Sequence, residues 1–146
     1  MKASIFSLVL ALVLSTTYAF AAPADHVNGE INASFRNEFR NAQLISQEGY
    51  KAFTKLTFKM NDQVLCAYYA EDGSLLAVTR NIPSSQLPVS LLLNLKNQLN
   101  NGWITELFEF NSDAQHCYYV SLENADMKIN LRSNGDSWEV YSTLKK

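Results

Sequence analysis

Few side chains in this sequence could do chemistry, and their spacing decides which kind. There are two histidines, His26 and His116, and two cysteines, Cys66 and Cys117. A thiol–imidazole pair needs both groups within hydrogen-bond reach. His116 and Cys117 are adjacent, however, and neighbours on a strand point to opposite faces, so they cannot share a proton. Zinc would call for a His-x-x-x-His or Cys-x-x-Cys spacing, and neither occurs. Glu106 and Glu109 are three apart on a strand-like run and also fall on opposite faces; they read as solvated charge. Gly73 and Gly135 belong to hairpins and Gly102 to a helix end, which leaves no glycine-rich phosphate cradle. The residues point to no catalytic set, no metal, no cofactor and a non-enzymatic protein.

The elements that would position any site begin after a leader. Lys2 precedes the apolar run from Ile5 to Val13, and Ala19-Phe20-Ala21 is a small-x-small cleavage pattern. Residues 1–21 therefore read as a secretory signal peptide, and the run is too short for a membrane anchor. The expected location is periplasmic or secreted, with no membrane contact after cleavage. Losing Lys2 moves the formal net charge from -2 to about -3. No basic block stands out, so nucleic acid is not an expected partner.

The mature chain repeats itself. The stretch from Leu87 to Gly102 opens on a proline, carries the stripe Leu91, Leu92, Leu95 and Leu99, and closes on Asn100, Asn101 and Gly102. Leu95 to Gly102 echoes Phe35 to Ala42 in residue type. Upstream, Asn28 can cap a helix whose stripe is Ile31, Phe35, Phe39 and Ala42. Four strand-like runs follow each helix. In the first copy they are Leu44–Glu48, Phe53–Met60, Val64–Ala70 and Leu75–Arg80. In the second they are Trp103–Phe110, Gln115–Leu122, Met127–Arg132 and Trp138–Thr143. Lys145-Lys146 reads as a solvated tail. The expected fold class is α+β: a tandem α-β4 repeat, residues 28–82 and 86–144, with two helices on one face of an eight-stranded antiparallel curved sheet. Residues 22–146 form one domain on this reading.

Turn chemistry sets the faces. Asn61-Asp62 reads as a tight turn, and Asp72-Gly73 as a type I′ hairpin matched by Asn134-Gly135. Superposing the copies on those glycines predicts that Leu56, Phe58, Met60, Leu65, Ala67, Tyr69, Leu76 and Val78 face the first helix. Tyr118, Val120, Leu122, Met127, Ile129, Leu131, Trp138 and Val140 would face the second. Gly102 is expected to end the second helix as a C-cap. The other face receives Lys55, Thr57, Lys59, Cys66, Tyr68, Thr79, Tyr119, Ser121, Lys128, Asn130, Arg132, Glu139 and Tyr141. An antiparallel sheet can leave such a face to solvent, and tyrosine among basic and polar groups also suits protein binding. The candidate binding residues are Lys55, Lys59, Tyr68, Tyr119, Lys128, Arg132 and Tyr141, with Asn61 and Asp62 as a loop tip. Cys66 and Cys117 fall about three strand spacings apart in a simple meander, roughly 14 Å, too far for a bridge. Two reduced, half-buried thiols are expected, with an intrachain disulfide as the alternative.

Phe35…Phe39…Ala42, Tyr69-Ala70-Glu71-Asp72-Gly73, Thr79-Arg80-Asn81-Ile82, Leu87-Pro88 and Trp103-Ile104 together resemble the PepSY-like, β-lactamase-inhibitor-like domains of exported bacterial proteins. The resemblance covers the whole mature chain. It implies two helix-plus-four-strand units in a periplasmic or secreted protein. From the true inhibitors it also implies a sheet surface and hairpin tips that occupy an enzyme cleft. The matching tips are Asn61-Asp62 and Glu123 to Asp126. Those inhibitors carry disulfides within each unit, and this chain has no such pairs. The expected function is an exported module that binds a periplasmic or extracellular protein or peptide, such as an enzyme or protease it inhibits. A small-ligand carrier and an envelope stress or structural protein are the alternatives.

Overall fold

The computed structural model describes residues 28–99 and 102–146. The expected signal peptide, the segment after it and His26 lie outside the described residues.

Asn28 starts the first helix, α1 (Gly29–Glu38), as the spacing predicts. Its side-chain oxygen accepts from the Glu30 N–H at 3.1 Å, and Glu30 places a carboxylate in the first turn. Four strands follow: β1 (Gln43–Gly49), β2 (Thr54–Met60), β3 (Gln63–Tyr69) and β4 (Leu75–Asn81). A 3-10 turn (Ser84–Gln86) leads into α2 (Val89–Gln98), whose N-cap is Pro88, where a missing N–H costs nothing. The second set is β5 (Trp103–Asn111), β6 (His116–Glu123), β7 (Met127–Asn134) and β8 (Ser137–Lys145). The fold is thus α+β, with two helices and an eight-stranded antiparallel sheet in which the strands lie in chain order. Among the described residues, no helix is long and apolar enough to cross a membrane.

Two compact units divide between Val78 and Thr79. In the first, Ile31 and Phe35 of α1 pack on Leu56, Phe58, Ala67 and Tyr69, with Phe39, Ala42, Met60, Leu65 and Leu75 around them. The Tyr69 hydroxyl leaves this core to donate to Glu38 Oε2 at 2.7 Å, which ties the end of α1 to β3. In the second, Leu95 packs on Leu107, Val120, Leu122 and Leu131, closed by Ile82 and Leu87. Trp138 joins this core and donates its indole N–H to the Leu91 carbonyl at 2.9 Å. The same irregularity recurs in both copies: the ladder skips a residue at Ile45 in β1 and at Thr105 in β5.

The turns differ from the sequence reading. The type I′ geometry sits at Asn61-Asp62, where φ is 51° and 61° and Met60 pairs with Gln63. At Asp72-Gly73 only Gly73 has positive φ, 78°, and Ala70 pairs across to Ser74. This is a three-residue loop, a turn followed by a left-handed glycine. At the second hairpin Asn134 pairs with Ser137, so Gly135-Asp136 is the two-residue loop, with positive φ at the glycine alone. The two bends are therefore not equivalent. The extra residue in the first shifts β4 by one position, and a shift of one exchanges the faces. Leu75 packs on the helical core and Ala77 is buried, so Leu76 and Val78, expected there, point away. In β8 the two-residue loop keeps Trp138 on the helix side, while Val140 beyond it is 66% exposed.

Two further expectations change. Gly102 does not take the left-handed conformation of a helix cap. It is small because a Cβ there would meet the Glu123 carbonyl oxygen at 2.8 Å. Gly102→Ala should therefore cost roughly 1–3 kcal/mol, read as a lowered denaturation midpoint with an unchanged slope. An unchanged midpoint would show that β6 yields freely there. The sheet also runs past Thr143: β8 extends to Lys145, so the exposed Lys145-Lys146 end is part of the structure. Lys145 pairs with Met127, and Lys146 Nζ reaches Glu123 Oε1 at 2.6 Å and lies 5.7 Å from the centre of the Trp103 ring.

Candidate functional site

The face of β2–β3 turned away from α1 carries Lys55, Thr57, Lys59 and Cys66, Tyr68 by strand alternation. Lys55 is not a free cation: its Nζ donates to Glu48 Oε1 at 3.2 Å. The Tyr50 hydroxyl donates to the other Glu48 oxygen at 2.7 Å. Burial and then this carboxylate push the Tyr50 phenol up to about 12. Burial raises the Glu48 carboxyl, but Tyr50 and Lys55 outweigh it and hold the group below its ordinary value. Tyr68 is only 3% exposed, its ring edge-on to Phe53, which stacks on Tyr50. Tyr68 is thus the floor of this face rather than a surface anchor. At the β2–β3 tip, Asp62 is 96% exposed in its side chain and takes Lys59 Nζ at 3.1 Å. Among the predicted residues, Asn61, Asp62 and Lys59 reach furthest into solvent.

In the second unit the corresponding face is organised by register. Phe108 lies opposite Tyr119, Tyr119 opposite Arg132, and Arg132 opposite Glu139, one straight row across β5 to β8. Tyr119 is 2% exposed, stacked on Phe108 and edge-on to Phe110 and Tyr141. Arg132 reaches Glu139 Oε2 at 3.3 Å, and Asn134 donates to the other oxygen. The neighbouring row is polar: Glu106, Ser121, Asn130 and Ser142. Ser121 Oγ lies 3.1 Å from Glu106 Oε2 and 2.7 Å from Asn130 Oδ1, and Asn130 Nδ2 donates to Ser142 Oγ at 2.8 Å. A hydroxyl has one proton, so Ser121 serves one of its two acceptors at a time. Lys128 Nζ stands 3.6 Å from Glu106.

The thiols are free: Cys66 is half-buried with Thr57 Oγ1 at 3.6 Å, and Cys117 is buried. Burial pushes the Cys117 thiol up, which disfavours the reactive thiolate. His116 and Cys117 do face opposite ways, paired with Asn111 and Phe110 respectively. Glu106 and Glu109 also part, paired with Ser121 and Tyr118.

Glu109 is not solvated charge. It accepts from Arg80 Nε and lies 2.7 Å from His116 Nε2. Burial alone would raise its carboxyl; the Arg80 and His116 hydrogen bonds outweigh it and hold the group below its ordinary value of 4.5. A depressed folded-state value contributes stability above the unfolded value, lost as pH falls through the folded one. Glu109→Gln should therefore cost roughly 1–2 kcal/mol at neutral pH, and the gap to the parent protein should close in acid. Denaturation at a series of pH values tests this; a gap that stays constant would place the stabilisation elsewhere. Phe108 and Phe110 are not among the residues expected on this face, and Glu106 is expected only as solvated charge. The alternation of Glu106, Phe108 and Phe110 on one side of buried Leu107 is the signal that marks them.

No family model matches the chain, and no curated protein matches it. Solved structures do. A Bacteroides eggerthii protein, named as a candidate periplasmic protein, matches with TM-score 0.73 at 12% identity, covering 82% of this chain and 89% of that one. A DUF2874 family protein from Bacteroides ovatus matches with TM-score 0.72 at 13% identity, over 83% and 89%. A BLIP-like protein from Bacteroides fragilis matches with TM-score 0.66 at 12% identity, over 80% and 84%. At these identities the likeness is one of fold.

Proposed function

We propose that this chain is an exported, non-enzymatic module that binds a periplasmic or extracellular protein, of the BLIP-like and PepSY-like kind. The observation that carries the reading is the make-up of the face away from the helix in each unit. Each has a buried aromatic floor, Phe53 and Tyr68 in one and Phe110 and Tyr119 in the other, rimmed by part-exposed charges. The packed floor gives the rim charges a rigid base, and pre-positioned charges of this kind suit the polar part of a protein-docking surface. The leader pattern in the sequence, and fold neighbours named as a candidate periplasmic and a BLIP-like protein, support export and a protein partner. The exposed β2–β3 tip at Asn61-Asp62 suits an inhibitor that reaches into an enzyme cleft. Groups that could have served catalysis hold structure instead: Glu109 is tied to Arg80 and His116, and Cys117 is buried.

The test is capture of partners from periplasmic extract on the immobilised mature protein, beside a Lys55→Glu, Lys128→Glu variant of matched circular dichroism. A protein retained by the parent and lost from the variant is the expected result. Identical retained sets would reject the rim as the binding surface.

A further inference from the structure

The second unit's aromatic floor holds more hydrogen-bond donors than the chain satisfies. The Tyr119 and Tyr141 hydroxyls are both buried, and neither has a partner at hydrogen-bond geometry among the described residues. The rings meet edge to face at 5.6 Å. The Cys117 thiol and the Arg132 guanidinium both come close to the Tyr119 hydroxyl and interact with it, but neither reaches the geometry of a full hydrogen bond. A buried donor left unpaired is rare and costly. Two of them at one place, beside a guanidinium with five N–H groups, amount to a set of donors awaiting an acceptor.

The backbone is shaped to make this cluster. Leu131 pairs with Val140 and Asn130 with Ser142, so Tyr141 is the extra residue of a bulge in β8. Bulges re-aim side chains, and this one brings Tyr141 against Tyr119. Arg132 is held on its outer side by the exposed carboxylate of Glu139. A second carboxylate on its inner side would accept from the guanidinium and from both phenols, since the group has about four acceptor positions. Both hydroxyls are shielded from solvent, so the site opens only when a neighbour moves. Arg132, part exposed and tied to a surface carboxylate, is the side chain placed to do so.

We propose that Tyr119, Tyr141 and Arg132 form a receiving site for an acidic side chain of the bound protein. This rests on the protein-binding reading above and names the chemistry its partner must bring to the second unit. The test is an NMR titration of the mature protein with the blocked tripeptide Ac-Gly-Glu-Gly-NH2. Two further arms use Ac-Gly-Gln-Gly-NH2 and Ac-Gly-Gly-Gly with a free terminal carboxylate. The glutamate peptide should shift the Tyr119, Tyr141 and Arg132 resonances, and the other two should not. Tyr119→Phe should weaken the response about tenfold, as loss of a charge-assisted hydrogen bond would. It should leave the denaturation midpoint equal or higher, because it removes an unpaired donor. Equal shifts from the glutamine peptide, stronger ones from the free terminus, or a Tyr119→Phe variant that is less stable but binds unchanged would each overturn the proposal. Partner capture lost on reversing the rim charges but kept by Tyr119→Phe would sink this site and leave the protein-binding reading intact.

Discussion

Phe58→Ala should unfold the first unit's core, at a cost of about 3–5 kcal/mol. Phe58 is fully buried, with its ring 5.1 Å from that of Phe35 and 4.6 Å from that of Phe39. It sits on β2 opposite Leu44 on one side and Leu65 on the other. Removing the ring takes away the surface that both helix aromatics pack on, and neither can fill the space without leaving the stripe that fixes α1. The aromatic pairs also add energy beyond the area they bury. Phe58→Leu, which keeps most of the volume, should cost under about 1.5 kcal/mol. Chemical denaturation followed by far-ultraviolet circular dichroism measures both. A loss below about 1 kcal/mol for Phe58→Ala would mean that the ring is not at the centre of this packing. Trp103 and Trp138, the two tryptophans of the chain, both lie in the second unit. Their fluorescence therefore shows whether that unit melts with the first: coincident transitions mark one cooperative event.

What was legible in the sequence follows from how local each signal is. Ile31 and Phe35, like Leu91 and Leu95, are spaced for a helix face whatever surrounds them, and all four are buried. Leu56, Phe58, Val120 and Leu122 alternate as strands do, and pack under the helices as expected. The turns were less legible because a glycine permits positive φ without saying how many residues the loop contains. Counting two residues at Asp72-Gly73 instead of three misplaced Leu76 and Val78 by one position, which is the whole width of a sheet. Meanwhile Asn61 and Asp62 took up the doubly left-handed turn without a glycine, as Asn and Asp can do at modest cost.

The faces away from the helices were legible in membership except on β4, where Thr79 shares the helix side with Leu75 and Ala77, and they were not legible in depth. Tyr68 and Tyr119 sit on them as the alternation requires, yet both are covered. What covers them is non-local: Phe53 over Tyr68, and Phe108, Phe110 and Tyr141 around Tyr119. No local pattern announces such contacts. The charges behave likewise. Lys55 and Arg132 each turn out to hold a carboxylate from a neighbouring strand, so the rim is a set of ion pairs and not a field of one sign. On the protein-binding reading proposed above, a partner would have to offer charges that exchange with these pairs, as a protein surface of mixed charge can.

Gly73→Val should be the most damaging change at any turn of the first unit. At φ 78° an L-residue costs about 1–2 kcal/mol through contact of its Cβ with the backbone, and a β-branched one more. The surroundings add a second penalty. A Cβ at Gly73 would meet the Glu30 carbonyl carbon and oxygen at 3.1 Å each, tighter than ordinary contact and against backbone, which cannot rotate away. The loop presses on the start of α1 because it helps to cap it: Asn28 donates its side-chain amide to the Glu71 carbonyl at 2.8 Å while accepting from Glu30. Pushing the loop off therefore breaks that bond and loosens the helix start that seats Ile31 in the core. The combined cost should reach about 3 kcal/mol or more. Gly73→Asn separates the two terms, since asparagine tolerates the left-handed conformation but still carries the Cβ. It should recover part of the loss and not all of it. Full recovery would assign the entire effect to backbone conformation and leave the loop without a mechanical hold on the helix. A Gly73→Val protein as stable as its parent would show that the loop does not bear on α1 at all.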